Sequence, residues 1–297
     1  MIYVSLHAMA RLRCEIMQFL SEEGFHCEAE IPDGICPEVI RVIEPVKWIM
    51  PLEITAKNPE EAAVQADKNS ECIAALKRFA GEAPLIISED RWRSRPEIIR
   101  ERLLAHLGRH SQIYARNCEV RRIDKPEAAA FLRLSHSYGD AACRYRYGLF
   151  LKRHTGHLAG LEGNLPAGTL VAVATFSNAR KWTKADKTIR SYEWTRYSSF
   201  PGLRVNGGMG KLLKAFICDV NPDDIMSYAD LEWSEGNVYT QLGFSLEGHK
   251  GPVCFKIDTS TWQRKPLQTR SEKVGTDERF FMNSGSAKYR LKLTEYE

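Results

Sequence analysis

The sequence predicts an α/β (α+β) chain: a C-terminal mixed sheet with flanking helices, preceded by a smaller α/β domain of α-β-β-β-α-β order. Three observations predict it. Capped amphipathic helices and short apolar or alternating segments take turns along all 297 residues. Gly, Pro and Asn punctuate that alternation at the places where elements end. An apolar content of 43% with 10% aromatic residues can fill a sizeable core, and this length accommodates two domains.

The elements follow in order. In "HAMARLRCEIMQFLSEEGF", Met9, Leu12, Ile16 and Phe19 recur at spacings of three and four, and Gly24 stops the helix. "HCEAEIPDG", "EVIRVIEPVKWI" and "LEITAK" read as three strands. "NPEEAAVQADKNSECIAALKRFAG" is a helix with Asn58 as cap, Pro59 in the first turn and Gly81 at the end. "APLIISED" is a short buried strand and "SRPEIIRERLLAHLG" another capped helix, so a boundary falls near 108–112. Beyond it, "SQIYARNCEVRRID" reads as a strand and "KPEAAAFLRLSH" as a helix. "RYGLFLKR", "TLVAVATFSNAR" and "RSYEWTRYSS" read as strands, "NGGMGKLLKAFICDV" as a Gly turn feeding a helix. "DDIMSYAD", a short helix "GNVYTQLGF" and a strand "GPVCFKID" close this part. The expected domains are 1–110, 111–258, and a C-terminal extension 259–297 with a hairpin around Asn283, Ser284 and Gly285.

Composition narrows the function. The net charge is +4, but residues 139–190 carry nine Lys/Arg against three acids. Such an excess suits phosphate groups, in nucleic acid or in a cofactor, or it forms a solvated face. The eight cysteines form no CxxC pair, and several sit in apolar runs. That reads as reduced, buried thiols in a cytoplasmic protein. No apolar run approaches the roughly 18 residues that span a membrane, and the N-terminus, with Arg in its middle and no small-residue cleavage site, does not read as a signal peptide.

"VNGGMGKLL" is the clearest chemical motif. A strand, a glycine turn and a helix make an anion site, because glycines admit positive φ and close approach while the helix start presents free N–H groups. Gly207, Gly208 and Gly210 are the candidates, with Met209 between them and Lys211 adding a cation. A bare structural turn is the alternative reading.

The order of the second part resembles that of GNAT acyltransferases: a strand and helix, an antiparallel meander, a Gly-loop helix, a strand, then a short helix with Tyr and Gly-Phe. "VNGGMG" resembles that family's pyrophosphate loop, Gln/Arg-x-x-Gly-x-Gly/Ala, with Gly208 and Gly210 in register and Val205 where Gln or Arg stands. "YTQLGF" resembles its Tyr-x-x-x-Gly-Phe stretch through Tyr239, Gly243 and Phe244. Five stretches, "LSHSYGD", "LVAVATFSNAR", "EWTRYSS", "VNGGMGKLL" and "SYADLEWSEGNVYTQLGF", together resemble a set in bacteriophage GNAT-like proteins, including the Mom family that modifies adenine in DNA. The likeness covers about residues 113–258. It implies catalytic roles for His136, Arg196, Ser199, Asp230 and Tyr239, an acetyl-CoA or related acyl-CoA donor held at Val205, Gly207, Gly208, Met209, Gly210, Lys211 and Phe176, and DNA as partner.

The residues themselves allow this chemistry. An amine attacking a thioester loses a proton, and the leaving thiolate gains one. Tyr239 is placed to give it, and Asp230, at a strand end, to accept a proton or hold the amine. N–H groups on an open strand near Phe176 and Ser177 could stabilise an oxyanion. Arg196, Glu193 and Ser199 are spaced by three on one strand, so a bulge is needed to bring them together. Structural alternatives stand beside each: Tyr239 packed under the sheet, Asp230 capping a turn, Arg196 in an ion pair, His136 at a helix C-terminus, Trp233 as a lid over the core rather than a base-stacking platform.

The first part resembles a PD-(D/E)XK nuclease core, through its element order, Pro32-Asp33 and Glu53. Such a site would hold Mg²⁺ on Asp33 and Glu53, with Lys57 replacing the usual lysine, since Thr55 stands two residues after the acid. A degenerate module that binds DNA or packs on its neighbour is the alternative. The functional expectation is a GNAT-like acyltransferase of phage or mobile-element type acting on a nucleobase amine. A DNA-binding or Mg²⁺-dependent DNA-cleaving protein, and a conventional small-molecule or protein N-acetyltransferase, are the other two readings.

Overall fold

The computed structural model describes residues 3–32, 38–158, 163–184, 186–267 and 277–295, with side chains from residue 11 onward. The fold is α+β, in two compact units. Unit 1 takes Met1–Pro96, Ala229–Glu235 and His249–Ala287; unit 2 takes Glu97–Tyr228, Gly236–Gly248 and Lys288–Glu297. Neither unit is one continuous stretch, which differs from cuts at 110 and 258. The segment 249–287 belongs to the first unit, since its apolar strands complete that unit's core.

In unit 1, α1 (Tyr3–Glu22) is followed by β1 (Cys27–Glu30), β2 (Val39–Val42) and β3 (Lys47–Leu52). The helix α2 (Pro59–Ala80), the strand β4 (Leu85–Ser88) and the helix α3 (Glu89–Ser94) come next. The sheet runs β1-β2-β3-β4, antiparallel until β4, which lies parallel to β3. A parallel neighbour needs a crossover, and α2 supplies it. Asn58 Oδ1 caps α2 by accepting from Glu61 N at 2.8 Å, and Pro59 stands at its first position. "EVIRVIEPVKWI" is two strands rather than one, because Pro45 falls in a turn between β2 and β3 and cannot donate to a ladder. "LEITAK" is the end of β3 and an isolated bridge of Ala56 to Phe280.

A second sheet in the same unit orders β15 (Gln263–Pro266), β14 (Cys254–Asp258) and β16 (Glu278–Met282). Phe255, Ile257 and Phe281 from it join Met50, Ile86 and Leu76 in one buried cluster. The hairpin expected around Ser284 is absent among the described residues. Its first arm, β16, pairs with β14, while the second, β17 (Ser286–Lys292), joins the large sheet of unit 2.

Unit 2 begins with most of α4 (Pro96–His106), then β5 (Ser111–Tyr114), a 3₁₀ turn (Ala115–Asn117), β6 (Cys118–Arg122) and α5 (Lys125–Ser135). The strands β7 (Tyr145–Leu151), β8 (Leu170–Phe176), β9 (Arg180–Lys184), β10 (Lys187–Ser199) and β11 (Leu203–Asn206) lead to α6 (Gly208–Val220). Then come β12 (Asp224–Asp230), α7 (Asn237–Gln241) and β13 (Ser245–Lys250). The eight-stranded sheet runs β13-β17-β12-β10-β8-β7-β6, with β9 paired to β10. Only β10 and β12, of the central pairs, run parallel. One sheet face is covered by α5, through Ala128 and Leu132 on Val173. The other is covered by α6, whose Phe216 stacks on Phe176 at 3.9 Å and 2°. The buried Asp224 accepts from Ser191 and Arg290, which pins β10, β12 and β17 together.

The seven described cysteines are free thiols; Cys14 and Cys218 are exposed, against the expectation of burial, because each lies off its helix's apolar stripe. No helix among the described residues is long and apolar enough to cross a membrane.

Candidate functional site

The parallel ladder between β10 and β12 is short. It pairs Ser191, Tyr192 and Glu193 with Asp224, Ile225 and Met226, and ends there. At the next residues β10 bulges: Trp194 faces Phe176 and Arg196 faces Thr175, leaving Thr195 as the extra residue. A bulge bends and twists its strand, so β10 stays with β8 while its ladder to β12 stops. Two strands part at this point, and backbone groups of β10 beyond Glu193 have no ladder on the β12 side.

The bulge also resets which side chains share a face. Glu193 and Arg196 come together, while Ser199 stays opposite Arg196 with Tyr197, whose phenol oxygen is 3.3 Å from Ser199 Oγ. Arg196 donates through Nε to Gly139 O at 3.1 Å and through Nη1 to Thr195 O at 2.7 Å, with Tyr138 under its guanidinium at 5.7 Å. Burial lowers its pKa, and the Glu193 carboxylate opposes that. His136 is the C-cap of α5, and its Nδ1 accepts from Tyr138 N at 3.1 Å. Arg196 and His136 thus shape one loop, 136–140, and Ser199 belongs to the other face.

Tyr239 lies on α7, and its ring is enclosed by Tyr289 (5.2 Å, 23°), Phe244 (5.6 Å) and Trp194 (6.4 Å). Ser227 Oγ is 2.9 Å from the phenol oxygen and 2.9 Å from Trp194 O. Serine has one proton, so with Ser227 donating to Trp194 O the phenol donates to Ser227. This chain ends on the carbonyl where the β10–β12 ladder has just stopped. Burial raises the Tyr239 pKa above the ordinary phenol value. Ser227 and Trp194 were not singled out from sequence; the signal was a buried hydroxyl in a central strand, which needs a partner.

The glycine turn makes an open helix start. Gly207 is the N-cap of α6 at φ 75, with no side-chain cap and no acid in the first turn. The first intrahelical bond is from Lys211 N to Gly207 O, so the N–H groups of Gly208, Met209 and Gly210 precede it. A Cβ on Gly208 would stand 3.0 Å from Tyr197 Oη and from Val205, tight enough that these side chains would have to give way.

Five residues expected in the site have other contacts. Val205 is buried beneath Gly208 and paired with Ile113, as a β-branched strand residue should be. Lys211 Nζ donates to Ala115 O at 2.8 Å and Cys118 O at 2.6 Å, so it ties α6 to the 3₁₀ turn rather than standing free for phosphate. Phe176 is fully buried between Phe216 and Trp194, on a strand paired on both sides, and Ser177 N donates to Glu193 O; neither offers an open oxyanion donor. Asp230, expected to couple with Tyr239, falls in the other unit. There its Oδ2 accepts from Arg91 at 3.4 Å and its Oδ1 from Glu232 N at 3.2 Å.

In unit 1, Glu53 is pushed up to about 7, first by burial and then by the Glu89 carboxylate, with Arg93 and Arg13 opposing. Asp33, its expected partner on Mg²⁺, lies outside the described residues. Among the described residues no group of three His, Cys, Asp or Glu side chains could hold a metal ion. Trp233 is buried, as a core lid would be.

No family model matches the chain, and no curated protein matches it in sequence. Similar solved structures include a histone acetyltransferase and related acetyltransferase from Corynebacterium glutamicum, at 10% identity, covering 61% of this chain and 98% of that one, with a TM-score of 0.35. A ribosomal-protein-S5-alanine acetyltransferase from Vibrio fischeri matches at 10% identity, 61% and 96% coverage and a TM-score of 0.35. The yncA protein of Salmonella typhimurium, solved with acetyl-CoA, matches at 13% identity, 61% and 96% coverage and a TM-score of 0.33.

Proposed function

We propose that unit 2 is a GNAT-like acyltransferase that moves an acyl group from a coenzyme A-type thioester to an amine, and that the amine is on a nucleobase. The observation that carries this is the parting of β10 and β12 at a bulge, with the Tyr239–Ser227–Trp194 hydrogen-bond chain at the opening. The uncapped start of α6 supports a place for the donor's pyrophosphate, whose charge the free N–H groups and helix dipole favour. The pantetheine arm would lie along the freed edge of β10, and that edge's amides would address the thioester carbonyl.

In the transfer, the amine nitrogen bonds to the carbonyl carbon and the C–S bond breaks. The phenol O–H, which donates to Ser227 at rest, turns to give its proton to the thiolate, and the proton lost by the amine restores the phenol through solvent. The phenol stays protonated over the working pH range, so the proton is in place when the thiolate leaves. Arg196 acts by position, holding the 136–140 loop through Gly139 O.

The nucleobase reading is supported by the five stretches resembling phage Mom-like proteins and by the β9–β10 hairpin. That hairpin exposes Arg180, Lys181, Lys184 and Lys187 around Trp182, a basic surface with an aromatic in it. A duplex base would have to leave its stack at a cost of a few kcal/mol. The test is mass spectrometry of nucleosides in DNA and RNA from cells expressing wild type or Tyr239→Phe. A new modified nucleoside in wild type alone is expected. Its absence, with acylated small amines or protein found instead, would establish the conventional N-acetyltransferase reading.

A further inference from the structure

A cleft of ≈ 620 Å³ opens on unit 2 beside β5. Gln112, Tyr114, Arg116, Lys152, Arg153 and His154 line it, and among the described residues none of its lining is Asp or Glu. The three full cations and the imidazole are exposed. Arg116 sits over the Tyr114 ring at 4.7 Å, and Tyr114 is still 49% exposed. Lys152 Nζ rests 3.3 Å from Arg116 O, and Lys152 N donates to Asn117 O, so the cationic stretch after β7 is anchored to the strip carrying Arg116.

The place of the cleft matters. Its β5 wall pairs with β11, the strand that runs straight into the glycine turn. Asn206 Nδ2 donates to Gln112 Oε1 at 3.0 Å, and Lys211 bonds the carbonyls of Ala115 and Cys118. The cationic wall is therefore fixed to the start of α6 by direct bonds, and Lys211, the one cation of that start, is consumed in making them.

We propose that this cleft holds a single-stranded nucleic-acid segment, with phosphates on Arg116, Lys152 and Arg153 and a base against Tyr114. Unopposed cations along an open trough track a phosphate backbone, and an exposed aromatic ring among them takes a base face without regard to sequence. A nucleotide tail of the acyl donor offers the same chemistry, and the coenzyme A arm of the test distinguishes it from a strand. That the strand is also the acyl acceptor rests on the transferase reading; that it binds here does not.

The experiment uses the full chain and two ligands. Fluorescence anisotropy follows a labelled single-stranded DNA oligonucleotide of mixed sequence over a series of salt concentrations, and calorimetry follows coenzyme A. On single strands each neutralised phosphate contributes about 0.7 to the slope of log affinity against log salt. The triple variant Arg116→Glu, Lys152→Glu, Arg153→Glu should lower the magnitude of that slope by roughly 2 and leave coenzyme A binding as in wild type. Tyr114→Ala alone should weaken the oligonucleotide by roughly five- to a hundred-fold at fixed salt. An unchanged slope in the triple variant overturns the proposal. So does loss of coenzyme A binding in that variant, which would make the cleft a donor subsite. If the triple variant does not fold, Tyr114→Ala decides. Wild type that binds the oligonucleotide but not coenzyme A would remove the transferase reading and leave the cleft assignment standing.

Discussion

Ser227 Oγ stands 2.9 Å from the phenol oxygen of Tyr239, on the strand that parts from β10 one pair earlier. The pair is embedded in apolar rings, and it touches the backbone carbonyl of Trp194 at the opening. Ser227 thus fixes the phenol beside the carbonyl where the β10–β12 ladder stops.

Tyr239→Phe should keep the ring packing and remove the proton donor. The expected loss in kcat is about 10²- to 10⁴-fold, with the donor KM near that of wild type. Deleting the phenol oxygen also removes a bond with a net worth of about 1 kcal/mol. Ser227→Ala should cost similar stability and a smaller part of kcat, because the phenol remains. Steady-state transfer from acetyl-CoA and thermal melts of both variants check this. Equal kcat in Tyr239→Phe and wild type would reduce Tyr239 to packing.

Lys211→Met should act on stability rather than on donor affinity. Its ammonium holds two carbonyls, and bonds to charged groups contribute about 1.5–3 kcal/mol each. A lower melting temperature with an unchanged coenzyme A dissociation constant is expected. A selective loss of coenzyme affinity would show that Lys211 releases those carbonyls to meet phosphate.

The alternation of elements and the glycine turn were legible because they are local. Asn58 capping α2, Gly207 opening α6 and the 3.6-residue stripe of Leu12 and Ile16 each need only their own neighbours. What the sequence hid is partnership at a distance. Lys211 looks like a phosphate ligand until Ala115 and Cys118, nearly a hundred positions earlier, turn their carbonyls to it. Asp230 and Tyr239 are nine residues apart, yet the chain leaves one unit for the other between them. The hairpin at Ser284 failed for the same reason: the strands on either side found different sheets. The bulge at Thr195 was identified as a requirement, and the structure places it between Glu193 and Arg196, leaving Ser199 on the other face.

Glu53 sets a pH dependence for unit 1. Its pKa rises from the usual 4.5 to about 7, with burial the main cause and Glu89 next. The carboxyl is therefore best accommodated when protonated. Its contribution is fully present below 4.5 and is lost as pH rises through about 7. Glu53→Gln should raise the melting temperature at pH above that range and flatten the slope within it. Melts of wild type and variant across the acid-to-neutral range test this; parallel curves would mean that Glu53 is solvated in solution.

Substitutions at Arg91 and Asp230 test whether the carboxylate at the end of β12 is structural. Arg91 is buried beside Asp230 at 3.4 Å and Glu232 at 3.8 Å. Burial raises the Glu232 pKa, Arg91 lowers it, and the Asp230 charge raises it again. Both carboxylates lie against this guanidinium, and Arg264 also lowers the Glu232 pKa. Arg91→Leu strands both in a dry site and should cost about 3–5 kcal/mol, the usual penalty for breaking a buried pair. Asp230→Asn keeps the shape and the acceptor for Glu232 N, and it removes a like charge from Glu232, so stability should change little. The transfer rate of Asp230→Asn should equal that of wild type when both are measured below their melting transitions. A collapse of that rate at unchanged stability would make Asp230 a participant in the chemistry.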